Sequence, residues 1–175
     1  MCYHIKMKTI FIIGLPGTGK TTLSKKLVDI LNFNYINDYE ILYDIDVEIE
    51  SDRLILSKLY SKNLLTFAER NENNFVIDCN YSLLPNEFVK FDKKENFIYI
   101  VLGFAKLQKE KLFYQFRRKD KVTSDDELMG RIEYYLEISE VVKNQCKNLN
   151  ITYFEISENR DEELEKVFNY LKERV

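Results

Sequence analysis

Histidine is nearly missing from this chain. The 175 residues contain one, His4, close to the start, which argues against catalysis by an imidazole base and removes a large class of enzymes. Cysteine is scarce as well. Cys2, Cys79 and Cys146 are odd in number and far apart, and without a C-x-x-C pair they give neither a disulfide framework nor a zinc site. Their pattern fits a reduced, cytoplasmic protein. A basic surplus is also absent: 26 Lys and Arg face 29 Asp and Glu, a formal net charge of -3. That balance argues against a dedicated nucleic-acid binder. No apolar run approaches the roughly 20 residues of a membrane span. Basic residues followed by an apolar run resemble a signal peptide, but Thr9 to Ile13 is too short and leads into a glycine motif rather than a cleavage site. Met7 opens "MKTIFIIG", so residues 1–6 read as a loose extension or an upstream start.

What is present is a globular composition, 45% hydrophobic and 31% charged, in a length suited to one domain, residues 7–175. Strand-like and helix-like patterns alternate, which indicates an α/β fold with a mostly parallel sheet. Thr9 to Ile13 is a continuous apolar run of the kind covered on both faces. A helix follows from Lys20 to about Asn32 with Leu23, Leu27, Ile30 and Leu31 inward, then a short strand at Asn34 to Asn37. The next segment is ambiguous. Ile45, Val47 and Ile49 alternate with acids at strand period, while Ile41, Ile45 and Ile49 recur at helical spacing, and context favours helix. Arg53 to Arg70 carries the apolar stripe Leu56, Leu59, Tyr60, Leu64, Phe67 and Ala68. "FVID" at Phe75 to Asp78 and "FIYIVLG" at Phe97 to Gly103 are further buried strands, with Pro85 suiting the first turn of a short helix between them. A basic helix runs from about Lys106 to Arg118. Ser124 and Glu127 form a capping box for a long helix with Leu128, Ile132, Tyr135, Leu136, Ser139, Val142 and Cys146 on one side. "ITYFEI" is the fifth strand, and Asn159 opens a last helix with Leu164, Val167, Phe168 and Leu171 inward.

The most specific stretch is "IFIIGLPGTGKTTL", Ile10 to Leu23. Its centre, Gly14-Leu15-Pro16-Gly17-Thr18-Gly19-Lys20-Thr21, followed by Thr22, fits G-x-x-x-x-G-K-[ST] in the strand–loop–helix context that the motif requires. Glycines let backbone N–H groups converge on one point, and the helix N-terminus adds its dipole, so the loop is a cradle for phosphates. Lys20 would reach the β- and γ-phosphates and the Thr21 hydroxyl would ligate Mg²⁺. Asp78, ending a buried strand, is placed as a Walker-B carboxylate near the metal, or else caps the following turn. Asp38 ends the second strand and points toward the same sheet edge. It is a proton acceptor for a hydroxyl, a holder of the metal's water, or an N-cap for the next helix.

With "GLPGTGKTT", "YINDYE", "FVIDCNYS" and "FRRKDK" in this order, the chain from Met7 resembles the nucleoside-monophosphate-kinase-like group of P-loop kinases, which includes adenylate and shikimate kinases. The resemblance implies a five-stranded parallel sheet in order 2-3-1-4-5 with helices on both faces. It also implies an acceptor-binding insert at about 39–74 and a mobile lid at about 117–126. Arg117, Arg118 and Arg131 become candidates to clamp the transferring phosphoryl group, with ATP as donor. The plainer alternatives are a solvated helix end for Arg117 and Arg118 and an ion pair for Arg131. Arg160 lies where this group places its adenine-contacting loop, and also reads as a helix start.

Two departures bear on the acceptor. The group's adenylate-type members carry an arginine shortly after the third strand, and "DCNYSLLPNEF" has none. The insert opens with Asp38, Glu40, Asp44, Asp46, Glu48, Glu50 and Asp52 before any base appears at Arg53, which would repel a phosphorylated acceptor unless Arg53, Lys58 or Arg70 compensates. Both favour an uncharged or cationic hydroxyl acceptor, such as a nucleoside, sugar or aminoglycoside-like compound, over a nucleoside monophosphate. Asn80 to Ser82 are placed to hydrogen-bond it, and Tyr39 and Tyr43 to stack on a ring. Asp78-Cys79-Asn80-Tyr81 lacks the glycine of a GTPase switch, and no N-K-x-D motif follows the fourth strand. An ATPase acting without acceptor, or a nucleotide sensor, is the other class left open. The expected partner is a small molecule, with no membrane, and the protein is expected to be a monomer or homodimer.

Overall fold

Thr9–Gly14 forms strand β1, and all six of its residues are buried. A strand without charge, covered on both faces, belongs in the middle of a parallel sheet. The computed structural model describes residues 7–38, 53–70, 72–80, 95–105, 109–157 and 159–175, with backbone alone at 53–61 and 80. After β1 come α1 (Lys20–Leu31), β2 (Asn34–Asn37), α2 (Arg53–Arg70), β3 (Phe75–Asn80), β4 (Phe97–Phe104), α3 (Lys109–Arg117), α4 (Asp125–Leu149), β5 (Thr152–Ile156) and α5 (Arg160–Lys172). The expected extension at 1–6, the helix in 39–52, the Pro85 helix and a helix start at Lys106 lie outside the described residues.

The five strands are all parallel, in order β2-β3-β1-β4-β5. Strand alternation sorts their side chains into two layers. Ile10 and Ile12 pack with Val76, Ile100 and Leu102 against Leu23 and Leu27 of α1 and Leu164, Val167, Phe168 and Leu171 of α5. Phe11 and Ile13 face the other way, packing with Ile77, Cys79 and Val101 against Leu64, Leu65 and Ala68 of α2 and Val142 and Cys146 of α4. The result is a three-layer sandwich with helices on both faces. Fully burying each such side chain stabilises the fold by about 1.5–3 kcal/mol. A third cluster, Leu15, Phe104, Leu112, Leu128 and Ile132, joins α3 and α4 to the chain just beyond β1.

Helix ends follow local chemistry. The Ser124 hydroxyl accepts from the Glu127 N–H at 3.3 Å, as the capping-box spacing predicts. Asn32 and Asn150 close α1 and α4 with φ of 55° and 56°, a left-handed conformation that asparagine tolerates. One expectation needs correction. Ile30 is 52% exposed, because at 100° per residue it falls to the flank of the stripe made by Leu23, Leu27 and Leu31. Asn159 opens α5 as its N-cap, as expected, without a side-chain cap hydrogen bond, and the Glu163 carboxylate accepts from the Ser157 N–H and hydroxyl.

Gly103 in β4 fills a tight place. A Cβ there would lie 1.9 Å from the Tyr153 hydroxyl oxygen and 2.7 Å from Cζ of the same ring, while that hydroxyl donates to the Ser139 carbonyl at 3.2 Å. Gly103→Ala is therefore expected to destabilise the protein by about 1–3 kcal/mol through overpacking. Tyr153→Phe should cost about 1 kcal/mol alone, yet recover part of the loss when combined with Gly103→Ala. Urea unfolding of the double-mutant cycle measures this; strictly additive losses would refute the contact.

Candidate active site

β1, β2 and β3 end at one sheet edge, with Gly14 opposite Asn80 and Asn37 opposite Asp78. The chain leaves β1 through a loop that only glycine permits. Gly17 has φ of +87° and Gly19 of +100°, where a Cβ is strained. Space is short as well: a Cβ at Gly17 would come 2.8 Å from Cζ of Phe116. Thr18 closes the turn through its N–H and hydroxyl, which both donate to the Leu15 carbonyl, at 3.3 and 2.8 Å. Gln115 adds a hydrogen bond to the Gly17 carbonyl at 3.3 Å. Thus α3, far away in sequence, supports the loop from outside.

The start of α1 differs from the other described helix starts with defined caps. Gly19 is its N-cap, no side chain accepts from its first N–H groups, and its first turn holds no acid. By contrast α4 opens with Ser124 and three acids, and α5 with three acids. The positive end of the α1 dipole is left open, with Lys20 beside it.

Lys20 donates to the Leu15 carbonyl at 3.2 Å. Burial pulls its pKa below the ordinary lysine value, while the Asp78 and Asp38 carboxylates pull it back up. Asp38 is 1% exposed and Asp78 3%. Thr21 donates to Asp78 Oδ2 at 2.6 Å, and the Tyr35 hydroxyl donates to the same oxygen at 3.3 Å. Asn37 Nδ2 in turn donates to the Tyr35 hydroxyl at 3.3 Å. Cys79, on the opposite sheet face, has its thiol pKa pushed well up by burial, with Asp38 and Asp78 adding to the effect. Lys20, Thr21, Asp38 and Asp78, picked from three separate segments, therefore converge. Tyr35 and Asn37 were not singled out by sequence; the signal for them is the two-residue alternation of β2, which puts both on the Asp78 side.

The arginines separate into two pairs. Arg117 donates to the carbonyls of Asp120 and Thr123 at 3.1 and 2.7 Å, pairs with Asp125, and lies over the Phe113 ring. Arg131 reaches Asp120 at 3.4 Å and Glu127 at 3.7 Å. Both hold the loop between α3 and α4. Arg118 and Arg160 make no side-chain hydrogen bond or ion pair among the described residues. These two line one open cleft together with Gln115, Asn159, Asp161 and Glu162. Asn80 to Ser82, Tyr39 and Tyr43 fall outside what the structure describes of side chains.

No family model and no curated protein matches the chain. Solved structures do. A shikimate kinase from Bacteroides thetaiotaomicron is 24% identical, with a TM-score of 0.60 over 95% of this chain and 97% of its own. A shikimate kinase from Acinetobacter baumannii in complex with shikimate is 14% identical, with a TM-score of 0.59 over 97% and 96%. A gluconokinase from Sinorhizobium meliloti 1021 is 13% identical, with a TM-score of 0.53 over 97% and 98%. The chain has the fold of P-loop small-molecule kinases. Within that fold, the Gly14–Thr22 loop occupies the sheet edge at which ligands of open α/β sheets bind.

The loop between α3 and α4 is organised by Asp120. Its carboxylate accepts from the Thr123 N–H at 3.0 Å, the Thr123 hydroxyl at 2.7 Å and the Val122 N–H at 3.2 Å. These bonds, led by the Thr123 N–H and helped by Arg131, lower the Asp120 pKa from 3.8 to about 2. A depressed carboxylate pKa gives support that is complete above about pH 4 and is lost as pH falls toward 2. The Thr123 amide resonance should accordingly titrate with a midpoint near 2, and this step should vanish in Asp120→Asn. A midpoint near 4 would mean that the loop does not hold Asp120 in this way.

Proposed function

We propose that the protein is a kinase that transfers the γ-phosphoryl group of ATP, with Mg²⁺, to a hydroxyl of a small molecule. The observation that carries this is the start of α1: two glycines of positive φ deliver an uncapped, acid-free helix N-terminus with Lys20 beside it. Such a start favours an anion, and a polyphosphate fits its N–H groups. Gly14, Pro16, Gly17, Thr18, Gly19, Thr21 and Thr22 would line the phosphate chain, with Lys20 neutralising its end.

The residues present fit a magnesium ion. Thr21 Oγ1 and Asp78 Oδ2 lie 2.6 Å apart, and among the described residues no cluster of three or more His, Cys, Asp or Glu gathers to cage a metal. One hydroxyl and one carboxylate suit a hard cation that takes its other oxygens from substrate phosphate and water. Bound there, Mg²⁺ would neutralise charge on the phosphoryl oxygens.

The chain's own residues supply the rest. Asp38, buried near Lys20, would take the proton of the acceptor hydroxyl as the donor phosphate departs. Arg118, unpaired among the described residues, would reach the transferring group, a contact worth about 10³ or more in rate. Arg117 and Arg131 would act on it through the loop they hold. Phosphoryl transfer needs little covalent help, so positioning and charge neutralisation suffice. A hydroxyl acceptor is supported by the similar structures, which are shikimate kinases and a gluconokinase, and by the acidic opening of the insert.

The test is a transfer screen with labelled ATP and Mg²⁺ across nucleosides, sugars, hydroxy acids including shikimate and gluconate, aminoglycosides and nucleoside monophosphates. Transfer to one hydroxyl class is expected, with ATP nearly idle when no acceptor is added. Lys20→Ala should lower turnover at least about 100-fold, and Asp38→Asn by about 10² to 10⁴. Transfer to nucleoside monophosphates alone would overturn the hydroxyl acceptor. Equal ATP consumption with and without every acceptor would overturn the kinase.

A further inference from the structure

Arg160 starts α5, yet its guanidinium lies against the glycine loop. A Cβ placed on Gly19 would stand 3.1 Å from Nε and 3.2 Å from Nη2 of Arg160. Gly19 is the residue that precedes Lys20 and caps α1. A cation from the far end of the chain is thus held beside the uncapped helix start.

Among the described residues this cation has no counter-charge of its own. Arg160 Nε is buried and without a hydrogen-bond partner, and the side chain makes no ion pair among the described residues. Several other cations in the protein are paired. Lys26 pairs with Glu165, Lys109 with Glu133, Lys143 with Glu155, and Arg174 donates to the Tyr170 carbonyl. The neighbouring acids among the described residues do not serve. Asp161 and Glu162 follow directly, and residues one and two apart on a helix do not face each other, while Glu163 is engaged by Ser157. A buried donor of a charged group left unpaired is costly, which marks the position as one completed by an acceptor from outside the chain.

Geometry says which acceptor. A phosphate chain cradled by the first N–H groups of α1 would pass Gly19 and Thr22. Arg160 stands beside Gly19, and the cleft next to Thr22 is lined by Lys26, Asp161, Leu164 and Glu165, one turn along the same two helices. We propose that Arg160 contacts the phosphate chain of the donor nucleotide, holding it from the α5 side of the loop, rather than contacting the base. The proposal rests on the loop being the donor-phosphate site. Arg160 is then the residue that couples α5 to the donor, and Gly19 is glycine partly because a side chain there would push the guanidinium away.

The experiment is binding of ADP and of adenosine to the full-length protein by calorimetry, with Lys20→Ala, Arg160→Ala, Arg160→Met and Arg160→Lys. Charge-assisted contact with phosphate predicts that Arg160→Ala and Arg160→Met both weaken ADP about ten- to hundredfold. Adenosine affinity should be unchanged, and Arg160→Lys should regain part of the loss. The dependence of ADP affinity on salt should flatten in the two neutral variants. Equal loss for ADP and adenosine would place Arg160 at the base and overturn the proposal. So would wild-type ADP affinity in Arg160→Met, which would leave Arg160 a packing residue. If Lys20→Ala loses ADP while both neutral Arg160 variants keep it, only the role of Arg160 fails. If the wild-type protein does not bind ADP, the phosphate-loop reading fails and the role of Arg160 with it.

Discussion

A helix that follows directly from a buried strand cannot be capped by a side chain if the chain must turn within a few residues and cross two left-handed positions. That constraint, met by Gly17 and Gly19 at φ of +87° and +100°, governs the rest of the site. It leaves the N–H groups of α1 open, fixes Lys20 at the helix start, and puts Thr21 one residue further, within reach of Asp78 on β3. It also requires room on the outer side of the loop. Phe116 of α3 and Arg160 and Leu164 of α5 occupy that room up to the limit that glycine allows. The loop is therefore shaped from within by its own dihedrals and from outside by two helices.

Charge around this loop is distributed by burial rather than by number. Lys20 is half-buried with two carboxylates near it, and its pKa reflects a contest in which desolvation dominates. Asp78 is held by two hydroxyls, so its orientation does not depend on a bound cation. On the other side of the loop, positive charge is divided between structure and availability. Arg117 and Arg131 stabilise the turn around Asp120, whereas Arg118 and Arg160 pair with no acid among the described residues. A hydrogen-bonded turn beside an arginine that pairs with no described acid is a sound way to present charge to an anionic ligand, because little order has to be gained on binding.

Much of the fold was legible in the residues. Continuous apolar runs such as Thr9 to Ile13 and Phe97 to Gly103 mark strands buried on both faces, and they are the two central neighbours of the sheet. The stripe on α4 and its Ser124 start follow from spacing alone. Ile30 escaped because periodicity sets a direction but not the extent of the surface that meets it. The glycine loop, Thr21 and Asp78 were legible in the site because a strand–loop–helix motif and a strand end have fixed places in a parallel sheet. Tyr35, Gln115 and Phe116 were not, since nothing in a single tyrosine, glutamine or phenylalanine announces a contact with a residue about 40 to 100 positions away.

By itself, the sequence determined the layered α/β fold, the glycine loop between β1 and α1, and the presence of several arginines. These depend on local dihedral preference and on hydrophobic period, which act over a few residues. Only the tertiary structure decided which arginines are free. Arg117 and Arg118 are adjacent, and both look like the end of a basic helix, but one turns into the α3–α4 loop and finds two carbonyls and a carboxylate. Arg160 looks like an ordinary helix start, and becomes a neighbour of Gly19 only because α5 and α1 pack on the same face of the sheet. Whether a charge is paired depends on what the fold brings within a few ångströms of it, and that distance is not written along the chain.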